Sequence, residues 1–321
     1  MIIFFKPEYY WDNDLMVKVE RFFAEPIIFP HMDKRMGSNI NGPSIIHMPK
    51  WAKNNLGAYH LYFSDHKGSY IRLAFSETVT GPWSIYSPGA LELKHSLFIT
   101  EDPLDEALYA HIASPDVHID HAKKCFWMYF HGQLDTGDQV TRVAKSKDGI
   151  NFDVKKAILG PPYFRVFEHE NWIYALCWGG EIWRSKDWCS PFEKGPKILP
   201  FEPSEKHLPS FRHGEIFLRN SVLHIFFSNI GDKPEAILHT KIDVSNDWMD
   251  WKISSIEKIL EPELIWEGSD LPVLMSAVGA ASGGLRELRD PCVFQDVDGQ
   301  VYLLYSAAGE SAIGIVKLND I

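Results

Sequence analysis

The chain has no apolar run approaching the length of a bilayer-spanning helix. Cysteine is scarce. Its four residues, Cys125, Cys177, Cys189 and Cys292, lack the paired spacing of a zinc site or a disulfide scaffold. Three of them lie in or beside apolar stretches and read as small core residues, which fits a reducing, cytoplasmic setting. Positive charge is in deficit: 32 Lys and Arg stand against 43 Asp and Glu, for a net charge of -11 over 321 residues. That balance argues against nucleic acid or an anionic membrane surface as a partner. Residues 1–6 are apolar, but Glu8 and Asp12 follow with no cleavage pattern, so they do not read as a secretory signal. What is plentiful is aromatic: 11 Trp, 12 Tyr and 20 Phe. Such rings favour strands, and ligands such as sugars that stack on them.

The organising stretch is residues 288–294 followed by 299–306. The two halves read as strands joined by the hairpin chemistry of Asp296-Val297-Asp298-Gly299. Four more pairs align with this one, beginning at Gly42, Ser114, Tyr163 and His213, with second strands over residues 58–64, 125–131, 172–178 and 222–228. A third strand follows each pair. After the first four comes a polar turn closing on an aromatic (Trp83, Phe152, Phe192, Trp251), and then a fourth strand. Aligned positions lie 49 to 77 residues apart. Five repeats of four antiparallel strands predict an all-β chain, one five-bladed β-propeller domain spanning residues 1–321. The last repeat stops at Ile321 after its third strand, while a spare strand-like segment stands at residues 22–28. The N-terminal segment is therefore expected to complete the last blade and close the ring.

First strands of propeller blades line the central channel. If each starts at one mouth, its hairpin partner ends at that same mouth. The residues expected to converge there include Asp290, Arg289, Asn41, Asp116, Arg165 and His213 from the first strands. Asp65, His66, His131, Trp178 and Glu310 join them from the second-strand ends. Carboxylates, imidazoles, guanidinium groups and an indole at one mouth suit a polyol ligand.

Residues 59–64 and 71–76 with Gly81-Pro82-Trp83 resemble a blade of the five-bladed glycoside hydrolases. These are the arabinanases and xylosidases of family 43, with invertases and levansucrases as cousins. Arg289-Asp290-Pro291 resembles the invertase Arg-Asp-Pro motif, whose Asp holds sugar hydroxyls in the transition state. Ala113-Ser114-Pro115-Asp116-Val117 is similar to the second-blade motif of family 43. The resemblance implies cleavage of a terminal sugar from a small oligosaccharide by carboxylate chemistry. The sequence also departs from it: the first-blade Asp that precedes Pro in those families is Gly42 here.

Glycosidic cleavage needs an acid for the leaving oxygen and a carboxylate for water or the anomeric carbon. Asp290 is the leading candidate for stabiliser or base. Asp65 and Glu310 stand as further catalytic carboxylates, each equally readable as a turn residue, and Asp116 is equally readable as an ion-pair partner. His213 is a candidate acid; the α-neoagarobiose hydrolases, on the same fold, set the precedent for a His. Asn41, His66, Asp116, His131, Arg165, Trp178 and Arg289 are candidate sugar contacts. Glu267 and Asp270, in the longest inter-blade connection, are held in reserve. No redox cofactor is implied. Two other readings stay open: a sugar-binding propeller without turnover, which the missing first-blade Asp favours, and a divalent-metal enzyme using His66, His131 and His213.

Overall fold

A computed structural model describes residues 17–53, 55–105, 108–200, 210–281 and 284–321. The apolar residues 1–6 discussed above lie outside that set. Strand β1 (Lys18–Glu20) precedes the first blade, formed by β2 (Asn41–His47), β3 (Tyr59–Ser64), β4 (Tyr70–Ser76) and β5 (Ser84–Glu92). Blade two contains β6 (Ile112–Asp120), β7 (Cys125–Gln133), β8 (Gln139–Ser146) and β9 (Phe152–Val154). Blade three contains β10 (Arg165–His169), β11 (Trp172–Cys177), β12 (Glu181–Ser185) and β13 (Glu193–Lys197). Blade four contains β14 (Ser210–Arg219), β15 (Val222–Ile230), β16 (Ile237–Asp243) and β17 (Glu257–Leu260). Blade five contains β18 (Leu288–Gln295), β19 (Val301–Ala307) and β20 (Ala312–Asn319), with β1 as its outer strand. Among the described residues the only helices are three single-turn 3₁₀ segments.

The second strand of each blade is buried on both faces, so it reads as an apolar run and not as a strict alternation. In β3 the two faces serve different neighbours: Leu61 and Phe63 pack towards blade five, and Tyr62 packs towards blade two. The same division operates all the way round. Five apolar clusters each join one pair of adjacent blades: one–two, five–one, three–four, two–three and four–five. Five interfaces among five blades make a closed ring, which is the expected β-propeller. The aromatic that ends each inter-strand turn, Trp83, Phe152, Phe192 or Trp251, is buried in one of these interfaces.

Closure through the N-terminal segment is as expected, but the strand is not residues 22–28. β1 pairs with β20 as Lys18↔Asn319, Val19↔Leu318 and Glu20↔Lys317. The chain then leaves the sheet because Arg21 is drawn into a polar cluster. Its guanidinium meets Glu267, donates to Glu261 O at 2.7 Å and lies 3.2 Å from the Tyr305 hydroxyl. Pro26 has no N–H to offer the ladder. Backbone pairing with β20 resumes only at Ile27 N→Ile313 O, 2.8 Å, and the single bridge Ile28↔Ile313. Deleting residues 1–28 removes both attachments and bares the edge of β20. The truncated protein is expected to aggregate and to melt earlier in light scattering and calorimetry; a monomer of unchanged melting temperature would contradict closure by this segment.

Candidate active site

Each first strand except β10 has a register irregularity near its start: between Asn41 and Ser44, Ala113 and Asp116, Phe211 and Gly214, and Arg289 and Cys292. Four of the five aligned residues have left-handed backbone: Gly42 at φ 58°, Ser114 at 51° and Asp290 at 47° within these bulges, and Tyr163 at 64° just ahead of the unbulged β10. For the three that are not glycine this conformation is costly, and such strain collects where a side chain must be aimed. Asn41, His66, Ala113, Ser114, Tyr163, His213 and Asp290 line one small, narrow cavity. All five blades contribute to it.

Asp290, 4% exposed, faces His213 through Oδ1 and the imidazole Nδ1. Burial alone would raise its carboxyl pKa. His213, then Arg289 and Arg165, outweigh burial and hold Asp290 well below the usual carboxylate range. Arg289 is the hub of the mouth. It meets Glu287 through Nη2, Glu310 at 3.1 Å through Nη1 and Glu235 at 3.4 Å through Nε. Burial works against its charge, but the three carboxylates outweigh it and raise its pKa. Glu310 accepts from Asn39 at 2.7 Å, and its other oxygen lies 3.3 Å from His66 Nδ1. Burial pushes Glu310 up, while His66 and Arg289 bring it below its ordinary value against the repulsion of Asp290.

A chain of rings runs along the wall between these groups. Centroid separations are 6.1 Å for His66–Tyr109, 4.6 Å for Tyr109–His111 and 5.4 Å for His111–His131. His131–Tyr163 follows at 4.1 Å and Tyr163–His213 at 4.2 Å. Burial lowers His111 to about 4 and His131 well below the imidazole range, so both stay neutral. The ring of Tyr163 stands between His131 and His213. The imidazoles are thus spaced by a phenol, and no three His, Cys, Asp or Glu among the described residues are grouped as a metal requires.

The other expected site residues fall into three places. Asn41 lies on the cavity wall, held by Ser64 Oγ at 2.7 Å. Asp65 lies away from the cavity wall: it binds Arg72 at 3.0 Å and accepts from Lys67 N at 2.8 Å, as a turn residue does. Trp178, 37% exposed, is likewise not among the lining residues. Asp116 and Arg165 sit one layer below the mouth. Asp116 accepts from His118 Nε2 and Val166 N, both at 2.8 Å. Arg165 donates to Pro115 O at 3.0 Å and lies 3.7 Å from Glu215. Glu267 is fully buried under Arg21 and the Tyr305 hydroxyl, 2.6 Å away, so it anchors the N-terminal segment, and Asp270 is exposed.

Glu215 was not singled out from the sequence, yet a signal for it exists. It stands two residues after His213, as Asp116 does after Ser114 and Arg165 after Tyr163. Period-two alternation returns each to the channel side. Burial and Asp116 push Glu215 up to about 8, against the pull of Arg165. A carboxyl raised above its unfolded pKa binds a proton in the native state that the unfolded chain has lost. Stability therefore falls as pH rises from about 4, the unfolded value, to about 8. Glu215→Gln removes that titration. Its melting temperature relative to wild type is expected to climb across this window, and a difference independent of pH would contradict the assignment.

The propeller geometry and this mouth define a class, the fold of the five-bladed glycoside hydrolases. The chain aligns over 94% of its length with CoXyl43, a GH43 β-xylosidase/α-arabinofuranosidase from a compost microbial metagenome, at TM-score 0.62, 12% identity and 96% coverage of that chain. A thermostable family-43 glycoside hydrolase matches at TM-score 0.59 and 16% identity, covering 88% of each chain. A structure from the GH130 family of mannoside phosphorylases, described as containing glycoside hydrolases that target β-1,2 mannosidic linkages in Candida mannan, matches at TM-score 0.62 and 11% identity, covering 96% of this chain and 95% of that one. At these identities the likeness establishes the fold. No family model matches the sequence. The chain belongs to the same family as the uncharacterized protein R118 of Acanthamoeba polyphaga mimivirus, with 35% identity over 298 residues, 87% of this chain and 83% of that protein.

Proposed function

We propose that the protein is a glycoside hydrolase that removes a terminal sugar from a small oligosaccharide bound at the mouth of the channel. The observation that carries this reading is the Asp290–His213 contact on the wall of the axial cavity. Asp290, held ionised, stabilises the oxocarbenium-like transition state or activates water. His213, with Nδ1 committed to Asp290, presents its other nitrogen to the leaving oxygen as the proton donor. Glu310 and His66, 3.3 Å apart, stand beside this pair and contact sugar hydroxyls. The small cavity, beside the long connections at residues 93–111 and 261–287, favours action at a chain end. Among the described residues no helix is long and apolar enough to cross a membrane. The four cysteines are unpaired, which supports a reducing, cytoplasmic compartment.

One observation favours a second reading, sugar binding without turnover. A Cβ at Gly42 would lie 3.2 Å from Ser114 Cα and 3.4 Å from Ser64 Oγ, in a left-handed conformation. The position at which the resembling families carry a carboxylate is therefore tightly packed here and carries none. A panel of aryl glycosides and plant or algal oligosaccharides, assayed with and without chelator, separates the readings. We expect sugar release that survives chelation. Binding without release would favour the second reading, and release only after a divalent ion is restored would favour the histidine–metal reading.

A further inference from the structure

Tyr163 occupies the aligned position of blade three, two residues ahead of the unbulged β10. Its backbone is set from both sides. Pro162, just before it, accepts from Trp178 N at 3.0 Å. Phe164, just after it, is 1% exposed and packs on Phe192 at 4.9 Å between ring centroids. Between these anchors Tyr163 adopts φ 64°, a strained value for a phenol-bearing residue. The strain buys no apolar burial deep in the core, since Tyr163 itself is only partly buried. What it does is place the ring between two imidazoles, His131 at 4.1 Å with planes 37° apart and His213 at 4.2 Å with planes 29° apart.

With both ring faces occupied, Tyr163 has none left for stacking on a sugar. We propose that Tyr163 is a positioning residue for His213: its ring fixes the imidazole plane so that Nδ1 stays on Asp290 and Nε2 stays turned to the cavity. The physical need for such a clamp is specific to histidine. The outer torsion of its side chain is soft and nearly two-fold, and a half-turn exchanges Nδ1 for a carbon. One contact to Asp290 sets where the ring edge lies; a stacked ring against its face restricts the plane. The tautomer of a catalytic imidazole is fixed by the partner of its other nitrogen, so a loose plane would mix tautomers and misdirect the proton.

The kinetic part of this inference rests on the glycosidase reading, and the spectroscopic part does not. The experiment compares wild type, Tyr163→Phe and Tyr163→Leu by ¹⁵N-histidine ring spectra at about pH 8, above the ordinary imidazole range, alongside kcat and KM. Wild type and Tyr163→Phe are expected to show a single His213 tautomer protonated at Nδ1, with kcat within about twofold of each other. Tyr163→Leu is expected to show mixed tautomers and a kcat about tenfold lower at nearly unchanged KM. The ring signals of His224 and His239, remote in blade four, report whether the variant is folded; if it is not, Tyr163→Met takes its place. A folded Leu or Met variant that keeps the single wild-type tautomer overturns the proposal. If wild type cleaves no glycoside, the glycosidase reading fails while the spectra still decide the role of Tyr163.

Discussion

Asp290→Asn is expected to lower kcat about a hundredfold, a loss of ~3 kcal/mol in transition-state stabilisation, while substrate binding weakens far less. The amide keeps the shape of the side chain and removes the charge that faces His213. It also keeps the backbone. Asp290 sits at φ 47°, and Asn tolerates the left-handed region as readily as Asp does. Fold damage is therefore not the expected cause of the loss. If Asp290 were only a turn residue before Pro291, Asn would serve equally and neither rate nor melting temperature would move. A sugar-binding protein would give weaker binding with no turnover to lose. Steady-state kinetics beside a melting curve distinguishes all three, and a variant with wild-type kcat would shift the assignment to Glu310.

Arg289→Leu should be the most destabilising single change at the mouth, by about 3–5 kcal/mol. Arg289 is 2% exposed, and its three nitrogens are shared among Glu235, Glu287 and Glu310. Leucine fills part of the volume and leaves those three buried carboxylates facing one another. Of the neighbouring side chains, Arg212 binds Glu235 at 2.7 Å and His66 lies by Glu310. Glu287, already raised by burial even with Arg289 present, is the first expected to take up a proton. Arg289 also donates to Gly279 O at 3.3 Å, and Arg212 donates to Ala277 O. The connection that carries Leu274, Met275 and Val278 over the rim is thus tied to the same charges. Denaturant unfolding checks the magnitude, and a midpoint within error of wild type would contradict the network's role.

The fold was legible because a propeller repeats its signals: strand pair, polar turn and closing aromatic each occur in four or five copies. Ring closure was legible as a count of strands, yet the strand itself was misplaced. Residues 22–28 look more β-prone than Lys-Val-Glu at 18–20, but the pull of Glu267 on Arg21 and the missing N–H of Pro26 override propensity. The mouth was legible through the alignment of Asp290 with Gly42, Ser114, Tyr163 and His213. The layer below it was not fully seen, because Glu215 carries no motif of its own. Its meaning lies in the two-residue offset shared with Asp116 and Arg165. Asp65 shows the converse limit: beside His66 and Gly68 it suggests a site or a turn equally well, and only the position of Arg72, seven residues on, separates the two.

The central claim, that the Asp290–His213 pair breaks a glycosidic bond, is tested most directly by hydrolysis in H₂¹⁸O with mass analysis of the released sugar. The account predicts a monosaccharide carrying ¹⁸O from wild-type protein, at a rate about a hundredfold lower from Asp290→Asn. Oligosaccharide that binds the wild-type protein yet is recovered whole and unlabelled across the panel would contradict it.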